Sequence, residues 1–314
     1  MTTHHHPHHH PPTAAAYVGK KLRELDVALT ATLPRVQGHA DDDEAIHDMR
    51  VAIRRLRTLL KMSRTLFGRW HSDCVRRAYA DVMRATGELR DEEVLEETLE
   101  DAAKHPSFAP WLAHRKTREA KLRHAMAVRI ERGDLDRARL MLKALLVFPI
   151  DPDRDMDLAK FARRTVERAR RNVESQRDVE PDDVLGLHNL RIAYKELRYS
   201  IELLSDALPI DARAMLEPAT VFQKRLGEIH DVDVAIETIT HARNLAHEAR
   251  EEALATLETV RDKRIGKYLR ELDPLSHPAP GTNGSPAKTA LKELAEETGD
   301  PAAAHLPKAA KGSA

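Results

Sequence analysis

The 314-residue chain balances 51 basic against 51 acidic side chains, so with its 18 histidines neutral no whole-molecule field steers it to nucleic acid or an anionic membrane. Its single cysteine, Cys74, excludes an intrachain disulfide and suits a reducing compartment, while no apolar run approaches the ~20 residues that span a bilayer. The length is enough to bury a sizeable core, as one large domain or two closely packed halves, and the expected location is the cytoplasm.

Residues 1–13 place six histidines around Pro7 and lack the apolar centre of a signal peptide. They are expected to be disordered, as a purification tag or a native metal-chelating tract. Amphipathic helical patterns follow over about 14–33, 44–67, 70–85, 91–103, 109–132 and 135–147. They continue over about 157–178, 184–207, 212–225, 232–255 and 257–272. Leucine, alanine, arginine and glutamate dominate these stretches and alternating β-branched runs are missing, which predicts an all-α fold. From Pro274 the composition turns to Pro, Gly, Ser and Ala with balanced charge, so residues 274–314 read as a solvated tail, with a short docking helix over 289–298 as the alternative.

Within this frame the chain repeats itself. Ile46-His47-Asp48-Met49-Arg50-Val51-Ala52-Ile53-Arg54-Arg55-Leu56-Arg57 returns, 141 residues later, as Leu187-His188-Asn189-Leu190-Arg191-Ile192-Ala193-Tyr194-Lys195-Glu196-Leu197-Arg198. A histidine and three cations survive the repeat: His47, Arg50, Arg54 and Arg57 in the first copy, His188, Arg191, Lys195 and Arg198 in the second. At about 100° per residue these positions fall within roughly 80° of arc, so each helix carries one basic stripe. Lys61 and Arg64 prolong the first stripe to roughly 25 Å. Apolar faces run beside the stripes, with Met49, Ile53, Leu56 and Leu60 on one helix and Leu190, Tyr194, Leu197, Ile201 and Leu204 on the other. Each helix is expected to bury that side in a bundle and to turn its cations into a groove or pore.

A second echo follows, because Thr86-Gly87-Glu88-Leu89-Arg90-Asp91-Glu92-Glu93-Val94 returns 140 residues later as Leu226-Gly227-Glu228-Ile229-His230-Asp231-Val232-Asp233-Val234. Two motifs recurring in the same order predict a duplicated unit with pseudo-symmetric halves, about 14–155 and 156–273. Gly87 and Gly227 are expected to end one helix, and Asp91 and Asp231 to cap the next, with Arg90 and His230 at that corner. Charge is segregated as well. Between Arg50 and Arg90 eleven basic residues face three acidic ones, and the following Asp91, Glu92, Glu93, Glu96, Glu97, Glu100 and Asp101 contain no cation among them. A basic cavity with an acidic outside is expected. Further basic runs, Arg115 to Arg123 and Arg163 to Arg171, have too loose a register to assign.

One basic helical face is usually solvated surface, but matched rows in two halves suit an extended polyanion better than a compact ligand. Arginine forks bind phosphate oxygens bidentately, and Lys195 supplies a point charge. His47 and His188 fit phosphate contact or hydrogen-bonded structural roles better than metal ligation, since the surrounding arginines repel a metal ion. The His-Asp doublets at 47–48 and 230–231 resemble those of metal-dependent HD-type phosphohydrolases, which are also all-helical. Their counterparts in the repeat are His188-Asn189 and Arg90-Asp91, however, and a two-metal hydrolase needs carboxylates where these stripes have arginines. Neither a glycine-rich phosphate loop nor a nucleophile elbow is present, so no catalytic constellation is evident and no cofactor is expected.

With these residues in view, the chain resembles the CHAD family, the conserved histidine α-helical domain. Residues 46–57 match the family pattern Val-His-Asp-Leu-Arg-Val-x-x-Arg-Arg-Leu-Arg, 187–198 look like its second copy, and the Leu-Gly-x-x-Arg/His-Asp-x-Asp-Val element matches at 87–94 and 227–234. The resemblance covers roughly 14–272 and implies a pair of pseudo-symmetric helical bundles around a basic pore. It further implies that the pore binds inorganic polyphosphate and often directs the protein to polyphosphate granules. By it, His47, Arg50, Arg54, Arg57, His188, Arg191, Lys195 and Arg198 are ligand contacts, with Arg90 and His230 beside them, and the stripe itself adds Lys61. The departures are Glu93 for the usual aspartate, Thr86 for the usual leucine, and Glu202 where Lys61 extends the first stripe. The triphosphate-tunnel domain that some members carry, with its Glu-x-Glu-x-Lys entry, is not found, which argues against triphosphatase activity. The expectation is therefore a non-enzymatic polyphosphate-binding module. A nucleic-acid-binding role is disfavoured by the zero net charge and an aromatic content of only 4%.

Overall fold

The computed structural model describes residues 13–38 and 43–276. Its eleven α-helices are α1 (Ala14–Gly38), α2 (Asp43–Met62), α3 (Arg69–Ala85), α4 (Gly87–Leu99), α5 (Phe108–Glu131), α6 (Asp134–Val147), α7 (Leu158–Glu174), α8 (Val184–Leu204), α9 (Ile210–Ala214), α10 (Leu216–Thr240) and α11 (His247–Ser276). Among the described residues there is no strand, only an isolated antiparallel bridge between Thr13 and Asp157. The all-α expectation holds. Local signals start several helices: the Asp157 carboxylate accepts from the Lys160 amide at 2.9 Å to open α7, and Asp183 accepts from the Gly186 amide at 2.8 Å to open α8. Gly133, at φ 84°, turns α5 into α6 through a conformation that side chains with a Cβ rarely adopt.

The expected helix break at the glycine–aspartate motif is made in the first copy, at Thr86, and not in the second. α10 runs unbroken through Gly227 and Asp231, and α4 begins at Gly87 so that Asp91 lies one turn inside it. Leu226, Ile229 and Val232 are all buried, so α10 keeps an apolar seam across the glycine. Burial at that spacing outweighs the roughly 1 kcal/mol that glycine costs inside a helix. Only Thr86, at φ −92° and ψ −6°, separates α3 from α4. The reversal in this part of the chain falls instead at 241–246, inside the expected stretch 232–255, whose end α11 joins to the expected stretch 257–272 before continuing past Pro274. Residues 1–12, with the histidine tract, and 277–314, with the helical stretch at 289–298, lie outside the described residues.

Apolar burial places α2 and α8 at the centre. α2 packs against α1, α3 and α8; α8 packs against α7, α10 and α2. All nine residues of the two expected apolar faces are buried in one core, which also takes in side chains from α1, α3, α5, α6, α7, α10 and α11. A second cluster joins Leu95, Leu99 and Phe108 of the α4–α5 hairpin to Val232, Ile239 and Leu257 of α10 and α11. Ion pairs pin these outer hairpins. Arg115 and Arg118 hold the buried Glu92 at 2.7 and 3.1 Å, and the buried Arg225 of α10 holds Glu271 of α11 at 3.0 Å. Much of the basic run on α5 thus neutralises the acidic helix α4. Among the described residues no helix is long and apolar enough to cross a membrane.

Leu56 is fully buried in the main core on the face of α2 opposite to solvent. Leu56→Ala is expected to lower the unfolding free energy by about 2–5 kcal/mol, read from urea denaturation. A change below about 1 kcal/mol would show that α2 does not carry the core.

Candidate functional site

The sides of α2 and α8 that carry the cationic stripes meet. Arg54 Nη1 of α2 donates to the Tyr199 hydroxyl of α8 at 3.3 Å, and the Arg198 guanidinium lies 4.4 Å from the centre of the same ring. Lys61 pairs with Glu196 across the contact at 2.7 Å, and Arg55 comes within 4.0 Å of Glu202. Glu202 also takes Arg198 at 2.8 Å, one turn along its own helix.

Inside this frame the cations crowd. Burial, then the charges of Arg54, Arg191, Arg198 and Arg50, push the Lys195 ammonium down to about 7. Burial, followed by Arg54 and Arg90, brings Arg50 down to about 10. Arg57 is lowered by burial and by Arg76, Arg84 and Arg54, which places two arginines of α3 beside the end of the α2 row. Among the described residues Arg50, Arg54, Arg57, Arg191 and Lys195 form no ion pair. Neutral oxygens hold two of them: Arg50 donates to the carbonyl and hydroxyl of Thr86, and Arg54 to Tyr199. The Nε atoms of Arg57, Arg64, Arg76 and Arg198 are buried without a hydrogen-bond partner among the described residues. Each such donor left unsatisfied costs about 1–3 kcal/mol, so oxygens arriving from a ligand gain more here than at a solvated arginine.

Two carboxyls temper the charge from the second motif. Burial raises Asp231 while Arg191, Arg264 and Arg90 lower it; burial raises Asp91 while Arg50 and Arg90 lower it. Each motif aspartate therefore sits within electrostatic reach of a motif arginine, Asp91 of Arg50 and Asp231 of Arg191. This replaces the helix-capping role that their spacing suggested.

The histidines divide. His188 and His230 face each other with Nδ1 atoms 3.4 Å apart and ring centres 4.6 Å apart. Burial, then Arg191, His188 and Lys195, drives His230 down to about 4, and burial with Arg191 and Lys195 lowers His188. Both rings are thus held below the ordinary histidine value, which favours their neutral forms, and the Nδ1–Nδ1 contact needs one ring to donate and the other to accept. His47, by contrast, is exposed on α2 and has no ring or hydrogen-bond partner among the described residues.

The structure thus brings together Arg50, Arg54, Arg57, His188, Arg191, Lys195, Arg198 and His230. Arg90 stands at the edge, paired with Glu93 at 3.3 Å. Lys61 is engaged by Glu196 and lies on the exposed rim rather than in the cluster. Sequence reasoning missed Tyr199 and named Thr86, Arg76 and Arg84 without assigning them to the site; the excess of arginine between positions 50 and 90 was the trace of Arg76 and Arg84. Among the described residues no group of three or more histidine, cysteine, aspartate or glutamate side chains could hold a metal ion.

The family model of the CHAD domain matches residues 22–240, and the chain belongs to that family. No curated protein matches it. Among solved structures it is similar to the CHAD domain from the plant Ricinus communis, with 20% identity, 90% of this chain and 92% of that chain covered, and a TM-score of 0.59. It is also similar to PptA from Streptomyces chartreusis, with 14% identity, 91% and 100% covered, and a TM-score of 0.59. At these identities the likeness establishes the shared all-helical fold.

Lys195 gives the ligand-free chain a pH signature. Its value near 7 lies below the ordinary lysine value of 10.5, so between them the unfolded chain binds the proton that the folded chain releases. Stability from this group therefore rises with pH from about 7 to about 10 and is lost as pH falls back towards 7. In urea midpoints measured across that range, Lys195→Met is expected to flatten the rise and to be more stable than the parent at pH 7. Parallel pH profiles for the two chains would contradict the crowding.

Proposed function

We propose that the chain binds inorganic polyphosphate along the cations of α2 and α8, in a basic pore between two halves produced by duplication. The observation that carries this reading is the convergence of Arg50, Arg54, Arg57, Arg191 and Lys195 without an ion pair among the described residues. Five such groups on two helices need several anionic oxygens spaced along a line, and a phosphate chain supplies one charge per unit. Arginine forks take those oxygens bidentately, while the Lys195 ammonium regains its proton as anionic charge arrives. The His188–His230 pair offers ring nitrogens to the same chain. Membership of a family associated with polyphosphate supports the assignment.

The reversed ion pairs at the crossing support the duplication. At the 141-residue offset Arg55 corresponds to Glu196 and Lys61 to Glu202. The Lys61–Glu196 and Arg55–Glu202 contacts are then one contact met from each side, with the charges exchanged. Glu202 takes Arg198 out of the unpaired row, and through Arg55 it completes a rim that ties the two motif helices together. The α4–α5 and α10–α11 hairpins correspond in the same way across the second apolar cluster.

Binding without catalysis is the role that this donor set fits. A metal-dependent phosphohydrolase needs a carboxylate cluster, and the site is built from guanidinium and ammonium groups with Asp91 and Asp231 at its margins. Nucleic-acid binding would want stacking platforms, and Tyr199 is occupied by Arg54 and Arg198. The location implied is the cytoplasm, at polyphosphate granules.

Calorimetry of long-chain polyphosphate at two salt concentrations tests the reading. By analogy with counterion release from nucleic acid, affinity falls steeply with salt, and the Arg50→Ala/Arg54→Ala/Arg191→Ala variant is expected to lose affinity at least tenfold and about 2–3 units of the log–log salt slope. Absence of binding by the folded native chain would overturn the polyphosphate assignment.

A further inference from the structure

The arginines of α3 are only partly used by the α2–α8 site. On its other side α3 leaves a cleft of about 690 Å³ against α6 and the end of α5. Four arginines line it: Arg77 and Arg84 of α3, Arg129 of α5 and Arg137 of α6. Two carboxylates offset half of that charge, since Asp81 pairs with Arg84 and Asp134 with Arg129 at 2.6 Å. Arg77 and Arg137 form no ion pair among the described residues, and the Arg77 Nη2 rests 3.4 Å from the Cys74 sulfur. The cleft is therefore concave, positively charged, and open to solvent at both unpaired arginines.

It also connects to the row already described. At about 100° per residue Arg84 falls between Arg76 and Arg77 around α3 and about two turns further along it, so the three spread from the α2 side of the helix to the α6 side. Arg76 and Arg84 act together on Arg57, the last motif cation of α2. The Arg64–Asp73–Arg76 ion-pair chain, with Arg76 at 3.3 Å from Asp73, ties the end of the α2 row to α3. Arg76 and Arg84, ion-paired with Asp73 and Asp81, thus stand between Arg57 and the cleft.

We propose that the α3–α6 cleft is a second phosphate-binding subsite, through which a linear polyphosphate longer than the α2–α8 site continues onto the outer surface. This rests on the polyphosphate reading and adds to it where the chain leaves. The ligand class is a linear polyphosphate, bound by Arg77 and Arg137 with Arg84 as the bridge. The subsite confers preference for long chains over short ones, because a tripolyphosphate fills the inner cations and ends there.

Cys74, the only cysteine of the chain, lines the cleft and reports on it directly. N-ethylmaleimide alkylation of the full-length chain is followed with no anion, with tripolyphosphate and with long-chain polyphosphate, each binding being checked by calorimetry. Long-chain polyphosphate is expected to slow alkylation several-fold and tripolyphosphate to leave it unchanged. In Arg77→Ala/Arg137→Ala, whose substituted side chains are exposed and outside the core, protection is lost while tripolyphosphate affinity stays at the native level. Unchanged alkylation with long-chain polyphosphate bound overturns the subsite and leaves the inner site standing. Protection that persists in the double variant, or protection by polyglutamate in place of polyphosphate, also overturns it. Failure of the native chain to bind either phosphate overturns the subsite together with the reading beneath it.

Discussion

Like charges buried together with little counter-charge are the constraint around which this molecule is organised. Lys195 is pushed down to about 7 by burial first and then by repulsion from Arg54, Arg191, Arg198 and Arg50. Each unit of such depression is worth about 1.4 kcal/mol, so a protonated Lys195 in the ligand-free chain costs several kcal/mol. The opposing terms are visible. The apolar sides of both motif helices are sealed in one core, and at the rim Lys61–Glu196 and Arg55–Glu202 draw the same two helices towards each other. Burial and rim ion pairs supply the attraction that the site withholds.

That arrangement explains why the His188–His230 pair resists protonation and why the glutamates are peripheral. A charged imidazole would add to the repulsion, and burial, followed by Arg191, His188 and Lys195, holds His230 down at about 4. Carboxylates inside the row would quench it, and the acidic residues are instead matched to other cations: Glu92 to Arg115 and Arg118, Glu93 to Arg90 and Arg123. The zero net charge of the chain thus conceals a concentrated positive field along α2 and α8.

Much of this was readable from the sequence because it follows helical periodicity. The 3–4–3 spacing of His188, Arg191, Lys195 and Arg198 put the cations on one arc, and the apolar seams beside them fell where the core is. Three features were hidden, each for a physical reason. Gly227 and Asp231 carry the composition of a helix break, but the buried seam of Leu226, Ile229 and Val232 carries α10 through them. His47 and His188 look equivalent in the repeat, yet only His188 meets a second ring, because its partner His230 corresponds to Arg90 in the first copy. Lys61 extended the stripe on a helical wheel, but Glu196, five residues after Arg191, reaches it from the other helix. Contacts between segments more than a hundred residues apart leave no trace in a local pattern.

The central claim is that the fold stores unbalanced positive charge for an anionic chain to relieve. Proton uptake on binding tests it most directly, by calorimetry of long-chain polyphosphate near pH 8, above the value of about 7 at Lys195, in two buffers of different ionisation enthalpy. The account predicts uptake approaching about one proton per chain, abolished by Lys195→Met. Tight binding with no proton uptake would show that the ligand does not meet the crowded cations, and would contradict it.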